Sequence, residues 1–149
     1  MPRKLKIFLD TSAIIAGLNS PTGAAGTILS ACISKQVIAV ISRQVIEEAN
    51  RNILLKFPKL ITSWQSFLLI PPKIIKDPTL VNISAIYKIL PTADAPILAS
   101  AIEAKPNALI TWNTRDFMRP QVTKYVDFPI LTPGEFLNSR IFREDRFSH

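Results

Sequence analysis

Asp10 stands between two apolar runs, in IFLDTSAIIAGL (Ile7–Leu18). A carboxylate there is hard to read as a surface residue. The chain has only 11 acidic residues among 149, so each can be given a place. Glu47 and Glu48 follow the apolar run VIAVI (Val37–Ile41) by about two helical turns. At 100° per residue Val45, Ile46, Ala49 and Ile53 form a buried stripe. Glu48 flanks that stripe beside Val45, whereas Glu47 lies nearly opposite its centre, so Glu48 is the inward candidate. Asp94 opens the apolar helix pattern DAPILASAIEA (Asp94–Ala104). Taken alone, it would serve as a helix cap. Asp116, in TWNTRDF (Thr111–Phe117), would alone be a turn residue. Asp77, Glu103, Asp127, Glu135, Glu144 and Asp145 read as surface residues or caps.

The four carboxylates Asp10, Glu48, Asp94 and Asp116 would repel if brought together. A pair at about 5 Å costs roughly 3 kcal/mol at an effective dielectric near 20. Such a cluster is stable mainly with a cation in it, and all-oxygen ligands favour Mg²⁺ or Mn²⁺ over zinc. In a basic protein that combination suits phosphodiester cleavage, with the ion acting on a water and on the phosphate. Asp10 would be the central ligand, bridging if two ions bind. Other chemistries lack their residues. There is no GxxxxGK[ST], no GxGxxG and no GxSxG, and the lone histidine, His149, is terminal. TGAAG (Thr22–Gly26) comes too late for a phosphate loop.

The elements that must position these acids are legible from periodicity. Lys4–Leu9, Val37–Ile41 and Ala108–Thr111 read as strands, the second rich in β-branched residues and apolar throughout, as in a strand covered on both faces. Pro129–Thr132 reads as a last short strand, and IIKDP as a short strand or extended segment. Helices are expected over Ala13–Leu18, capped by Ser12, and over Ala24–Ser34, Ser42–Lys56, Pro58–Leu69, Pro78–Leu90, Asp94–Ala104 and from Pro133. Strands alternating with helices imply an α/β fold, a parallel sheet with helices on both faces. In such sheets, sites form beyond the carboxyl ends of the strands, where strand order reverses. Asp10, Ser42 and Asn113 fall there.

One domain, residues 1–139, with a charged and loose tail over 140–149, accounts for the length. The net charge of +7, from 18 Lys and Arg against 11 Asp and Glu, points to a polyanion such as nucleic acid or to a solvated basic surface. Arg43 and Arg115 are the candidates for phosphate contact at the rim of the site. The single cysteine, Cys32, excludes an internal disulfide and reads as a small core residue. No apolar run reaches the roughly 18 residues of a membrane span, and no signal peptide is recognisable. A cytoplasmic protein is expected. Ile61–Ile70, with Trp64 and Phe67, is either core or a face for a partner or second copy.

Four motifs in order resemble the PIN-domain family of metal-dependent ribonucleases. They are LDTSAII with its following GL and Ser-Pro-Gly turn (Leu9–Gly23), ISRQVIEE (Ile41–Glu48), DAPILASAIEA (Asp94–Ala104) and LITWNTRDF (Leu109–Phe117). The six-residue step from Ser42 selects Glu48, as the helical wheel does. Trp112 stands where that family more usually has a small residue, either crowding the site or stacking a base.

The resemblance implies a three-layer α/β/α sandwich around a mainly parallel sheet. It implies a site of Asp10, Glu48, Asp94 and Asp116 holding one or two Mg²⁺ or Mn²⁺ ions, with Thr11, Ser12 and Asn113 assisting by hydrogen bonds. It further implies an endoribonuclease that cuts single-stranded RNA to leave 5′-phosphate and 3′-hydroxyl ends. Many small members are toxins of toxin–antitoxin pairs, inhibited by a partner peptide, and form homodimers. The alternative is a PIN-like module that grips RNA or protein without cutting.

Overall fold

The computed structural model describes residues 4–70 and 72–147. The chain runs β1 (Lys6–Leu9), α1 (Thr11–Asn19), α2 (Ala24–Ile33), β2 (Ile38–Ser42), α3 (Arg43–Lys56), a 3₁₀ turn (Pro58–Leu60), α4 (Ile61–Leu69) and β3 (Lys73–Ile75). It continues through α5 (Leu80–Tyr87), α6 (Ala95–Ala104), β4 (Ala108–Ile110), α7 (Thr114–Phe117), α8 (Pro120–Thr123), β5 (Ile130–Leu131), α9 (Pro133–Leu137) and α10 (Arg140–Phe147). The sheet order is β3-β2-β1-β4-β5, and every pairing is parallel.

The apolar run of β1 explains why it is central. Ile7, Phe8 and Leu9 are all buried although neighbours point to opposite faces. Both faces of the sheet are therefore covered by helices, which makes the three-layer α/β/α sandwich. From β1 the chain builds outward to β2 and β3, then returns to add β4 and β5 on the other side. The order reverses between β1 and β4. Leu9 pairs with Ile110, so the next residues, Asp10 and Thr111, emerge side by side at that switch point.

α1 packs on both α2 and α3, and α5 on α6. The first of these contacts is close because Gly17 and Gly26 carry no side chain. A Cβ at Gly26 would overlap the backbone of Pro21, and one at Gly17 would press into Leu29. Gly26, the last residue of the Thr22–Gly26 stretch, thus serves packing.

Several local expectations change. Ser12 does not cap α1; the N-cap is Asp10, because the Ser12 hydroxyl is drawn to the Asp10 carboxylate instead. α5 is shorter than Pro78–Leu90 and starts after Thr79, whose hydroxyl accepts from Asn82 N–H. Trp64 and Phe67 are core, stacked at 6.0 Å, while Leu69 and Ile70 stay exposed. The segment after Arg140 is helical rather than loose as far as Phe147. Phe142 anchors it, buried against Phe136 at 5.1 Å. His149 and Pro71 lie outside the described residues. Among the described residues no helix is long and apolar enough to cross a membrane.

Candidate active site

Asp10 is the hub. It is 3 % exposed, and one carboxylate oxygen, Oδ2, accepts from Ser12 Oγ at 2.9 Å and Thr111 Oγ1 at 2.8 Å. Its backbone N–H donates to Ile110 O, extending the β1–β4 ladder by one bond. The other oxygen, Oδ1, is buried with no hydrogen-bond partner. An unpartnered buried carboxylate oxygen is costly. Burial pushes the Asp10 carboxyl above its ordinary range, against the pull of the Thr111 and Ser12 hydroxyls.

Thr111 and Ser12 tie the hub to the loop after β4. Trp112 N–H donates to Ser12 Oγ at 2.9 Å, and Asn113 N–H donates to Thr111 Oγ1 at 2.9 Å. Thr111 lies within the fourth motif, but nothing in its residue type marks it. Its role comes from pairing: it is the first residue past β4, as Asp10 is past β1.

Three further carboxylates surround the hub from helices. Ser42 caps α3 by accepting from Val45 N–H, which sets the phase of that helix. Glu48 is half-buried and faces the site, while Glu47 points outward and pairs with Arg43. Burial raises the Glu48 carboxyl, and the charge of Asp10 adds to this; Arg51 and the Thr11 hydroxyl pull it back. Thr11 is itself buried between β1 and α3, its hydroxyl near Val45 O at 3.4 Å.

Asp94 sits at the N-cap position of α6, yet its side chain makes no capping bond. It is free to turn to the site, where Asn113 Nδ2 donates to its Oδ2 at 3.0 Å. Burial, then the charges of Asp10, Glu48 and Asp116, push its carboxyl up to about 7. Asp116 lies in the first turn of α7, not in an open loop. Asn113 caps that turn through Oδ1 and donates Nδ2 to Asp116 Oδ2 at 3.3 Å. Arg119 holds Asp116 from the outside at 3.1 Å.

All four acids thus share one electrostatic neighbourhood at the β1–β4 switch point. Among the described residues no three of them have converged into a ready-made coordination set. The donor chemistry nonetheless fits a hard cation. Every nearby acid is an oxygen donor, Asp10 Oδ1 lacks a partner, and burial together with the neighbouring acids raises the Asp94 carboxyl.

The two rim arginines differ. Arg43 is held by Asp77 at 2.9 Å and by Glu47, so its guanidinium is already engaged with acids. Arg115 is exposed beside Asp116 and, among the described residues, makes no ion pair. Arg51 and Arg119, not singled out from the sequence, lie nearer the acids. Their i,i+3 spacing from Glu48 and Asp116 was the available signal. Cys32 is not a nucleophile in this setting: burial pushes its thiol up to about 12.

The fold is a parallel α/β sandwich whose strand-order reversal brings three further acids around the buried Asp10. The chain belongs to the PIN-domain family: the family model described as "PIN domain" matches residues 6–115. That span includes Asp10, Glu48, Asp94 and Asn113, and ends one residue before Asp116. No curated protein matches the chain significantly. Among solved structures it is similar to PAE2754 from Pyrobaculum aerophilum, at 16 % identity and TM-score 0.62, over 90 % of this chain and 88 % of that one. It is also similar to VapBC2 from Rickettsia felis bound to a DNA fragment from their promoter, at 19 % identity and TM-score 0.61, over 86 % and 98 %. DNA-bound VapBC from Salmonella typhimurium gives 16 % identity and TM-score 0.61, over 87 % and 98 %. At these identities the likeness is one of fold.

Proposed function

We propose that the chain is a metal-dependent endoribonuclease that cleaves single-stranded RNA. The observation that carries this reading is Asp10, buried at the switch point with one oxygen unpartnered and three further acids around it. Mg²⁺ or Mn²⁺ would be held by Asp10 with Glu48, Asp94 and Asp116. When bound, the cation supplies Lewis acidity toward a phosphate oxygen and an attacking water.

The chain's own residues do the rest. Ser12 and Thr111 fix Asp10 through Oδ2 and leave Oδ1 free. Asn113 holds Asp94 and Asp116 together. Asp94, whose carboxyl is pushed up to about 7 when no cation is present, would release its proton on taking up the cation. Arg115 at the rim would meet a backbone phosphate. Trp112 is 51 % exposed with its backbone pinned to Ser12, and would stack an unpaired base.

A toxin role, with an antitoxin protein as partner, is supported by the VapBC neighbours and by a groove. An apolar cavity of about 350 Å³ opens between α1, α2 and α4, lined by Leu18, Leu29, Ile33, Phe67 and Ile70. A homodimer is the companion proposal. Leu54 and Leu55 on α3, with Leu80 and Val81 on α5, remain exposed and would be covered by a second copy.

The test is cleavage of a mixed single-stranded RNA pool with Mn²⁺, with Mg²⁺ and with chelator, beside Asp10→Asn and Asp94→Asn. Metal-dependent cleavage absent from both variants is expected. If metal raises the melting temperature but no RNA is cut, the domain is a binding module. If metal does neither, the carboxylate cluster is not a metal site.

A further inference from the structure

The amino-terminal edge of the same sheet carries the opposite charge. Lys4, Lys6, Lys73 and Lys105 line one cleft of about 550 Å³ with Leu5 and Ile38 as its apolar floor. A second cleft of about 350 Å³ shares Lys6, Lys73 and Lys105. The two therefore adjoin and form an elongated trough over one face of β1, β2 and β3. Among the described residues no carboxylate lines the first cleft. The second has Glu103, which already accepts from Asn82 Nδ2 at 2.7 Å.

The lysines are not loosely placed. Asn107 clamps Lys6 on both sides: its Oδ1 accepts from Lys6 N–H at 2.8 Å, and its N–H donates to Lys6 O at 2.7 Å. Lys4 Nζ donates to Lys35 O at 2.7 Å. Lys35 and Lys105 both have left-handed backbones, with φ of 64° and 51°, a conformation that favours glycine or asparagine over lysine. Four lysines gathered around a concave surface with one glutamate at its side repel, and a polyanion relieves that repulsion. Ile38, 39 % exposed on the floor, offers an apolar surface for a sugar or base.

We propose that this lysine trough binds the backbone phosphates of a nucleic-acid strand, at a site separate from the acidic edge. Lys6 and Asp10 lie at opposite ends of β1, roughly 13 Å apart along the strand. A short RNA seated on the acids would leave the trough empty, whereas a long one would reach both. In naming nucleic acid, the inference rests on the reading above, and the experiment separates the two.

Fluorescence anisotropy would measure binding of labelled single-stranded RNAs, about three and about sixteen nucleotides long, in chelator at low salt. The proteins would be wild type, the double variant Lys73→Gln/Lys105→Asn, and a control, Lys59→Gln/Lys124→Gln, that removes the same charge elsewhere. Asparagine at 105 keeps the left-handed backbone. The trough variant is expected to bind the long RNA about tenfold more weakly or worse, with a salt slope reduced by about 1.4, two phosphates' worth. In chelator no cation draws the short RNA to the acids, so whatever binding it shows should also weaken in the trough variant, and the control should fall clearly less for both RNAs. An unchanged long-RNA affinity, an equal loss in the control, or no RNA binding by wild type overturns the proposal. Cleavage of the short RNA with Mn²⁺ reports on the acidic edge alone. If it is absent while the lysine-dependent binding is present, the nuclease reading fails and the trough stands.

Discussion

The acidic edge has an inner hub and an outer ring, and the two are built differently. Asp10 and Thr111 leave adjacent central strands, are almost wholly buried and are bonded to each other. Their positions follow from the β1–β4 register. Asp94 and Asp116 project from the starts of α6 and α7 and Glu48 from the second turn of α3; all three are half-buried and are steered by caps and amides: Ser42 for α3, Asn113 for the other two. A sheet gives a rigid floor, and helix starts give adjustable walls. The proposed function, which seats a cation and a phosphate there, would use both.

Removing the hub's charge is the hardest blow to this arrangement. Asp10→Asn keeps the size and an acceptor for Ser12 and Thr111 but removes the negative charge. Loss of a central carboxylate removes several kcal/mol of charge stabilisation, so cleavage should fall by roughly 10³-fold or more. The metal-free fold should not suffer, because burial already disfavours the ionised form. Melting curves with and without Mn²⁺ would check both halves. A variant that unfolds, or that keeps its metal-dependent stabilisation, would contradict the division between hub and ring.

The ring should answer to pH. Without metal, the folded Asp94 carboxyl titrates near 7, against an ordinary value of 3.8. Between those values the folded chain holds a proton that the unfolded chain has released. Stability from this group is therefore complete below about pH 4 and is lost as pH rises through 7. Asp10 and Glu48 are shifted in the same direction. The metal-free protein should melt progressively lower from pH 5 to 7.5, and Mn²⁺ should reverse most of the loss at pH 7.5. Asp94→Asn should flatten the profile and melt higher than wild type at neutral pH while abolishing cleavage. A profile that rises with pH would mean that Asp94 is neither buried nor in the field of the other acids.

The hub and ring also differ in how far they could be read from sequence. The apolar run ending at Asp10 announced a buried strand with a charge at its tip. The helical phase of Val45, Ala49 and Ile53 separates Glu48 from Glu47; in the structure Glu47 pairs with Arg43 and Glu48 is half-buried in the field of Asp10. Asp94 was harder, since a cap and a site acid look alike before a helix; only the absence of a capping bond tells them apart. Thr111 was invisible because its partner lies 101 residues away, across a pairing that local pattern does not specify. Arg43 failed as a rim residue for a similar reason: Asp77 reaches it from the end of another strand. The docked helix after Arg140 was hidden because its charged residues outweigh the anchoring Phe142 in any local reading.

Thr111 makes that long-range link testable. Thr111→Val keeps the shape and removes the hydroxyl, leaving Asp10 Oδ2 with Ser12 alone and Asn113 N–H without its acceptor. Loss of a supporting bond of this kind typically costs 10- to 100-fold in metal affinity or activity. Stability should drop by about 1–3 kcal/mol for the buried groups left unpaired. The Mn²⁺ concentration giving half-maximal cleavage, with thermal melts, would measure both. A loss of stability without a shift in Mn²⁺ requirement would make Thr111 a structural link only.

Trp112 carries the smallest effect and the most informative one. Its backbone is fixed to the hub through Ser12, but its ring is half exposed and forms no aromatic pair among the described residues. If the ring crowds the cation, Trp112→Ala should lower the Mn²⁺ requirement and leave RNA affinity alone. If it stacks a base, the same change should weaken RNA binding by about 1–3 kcal/mol, raising KM more than it lowers kcat, with no change in Mn²⁺ requirement. Stacking is the expected result, because every donor around Asp10 Oδ2 is already supplied by Ser12 and Thr111 and the indole is in none of those bonds. Trp112→Phe should then recover much of the lost affinity, since a smaller aromatic ring still offers a face. Recovery by leucine to the same degree would show that apolar area, not stacking, holds the base.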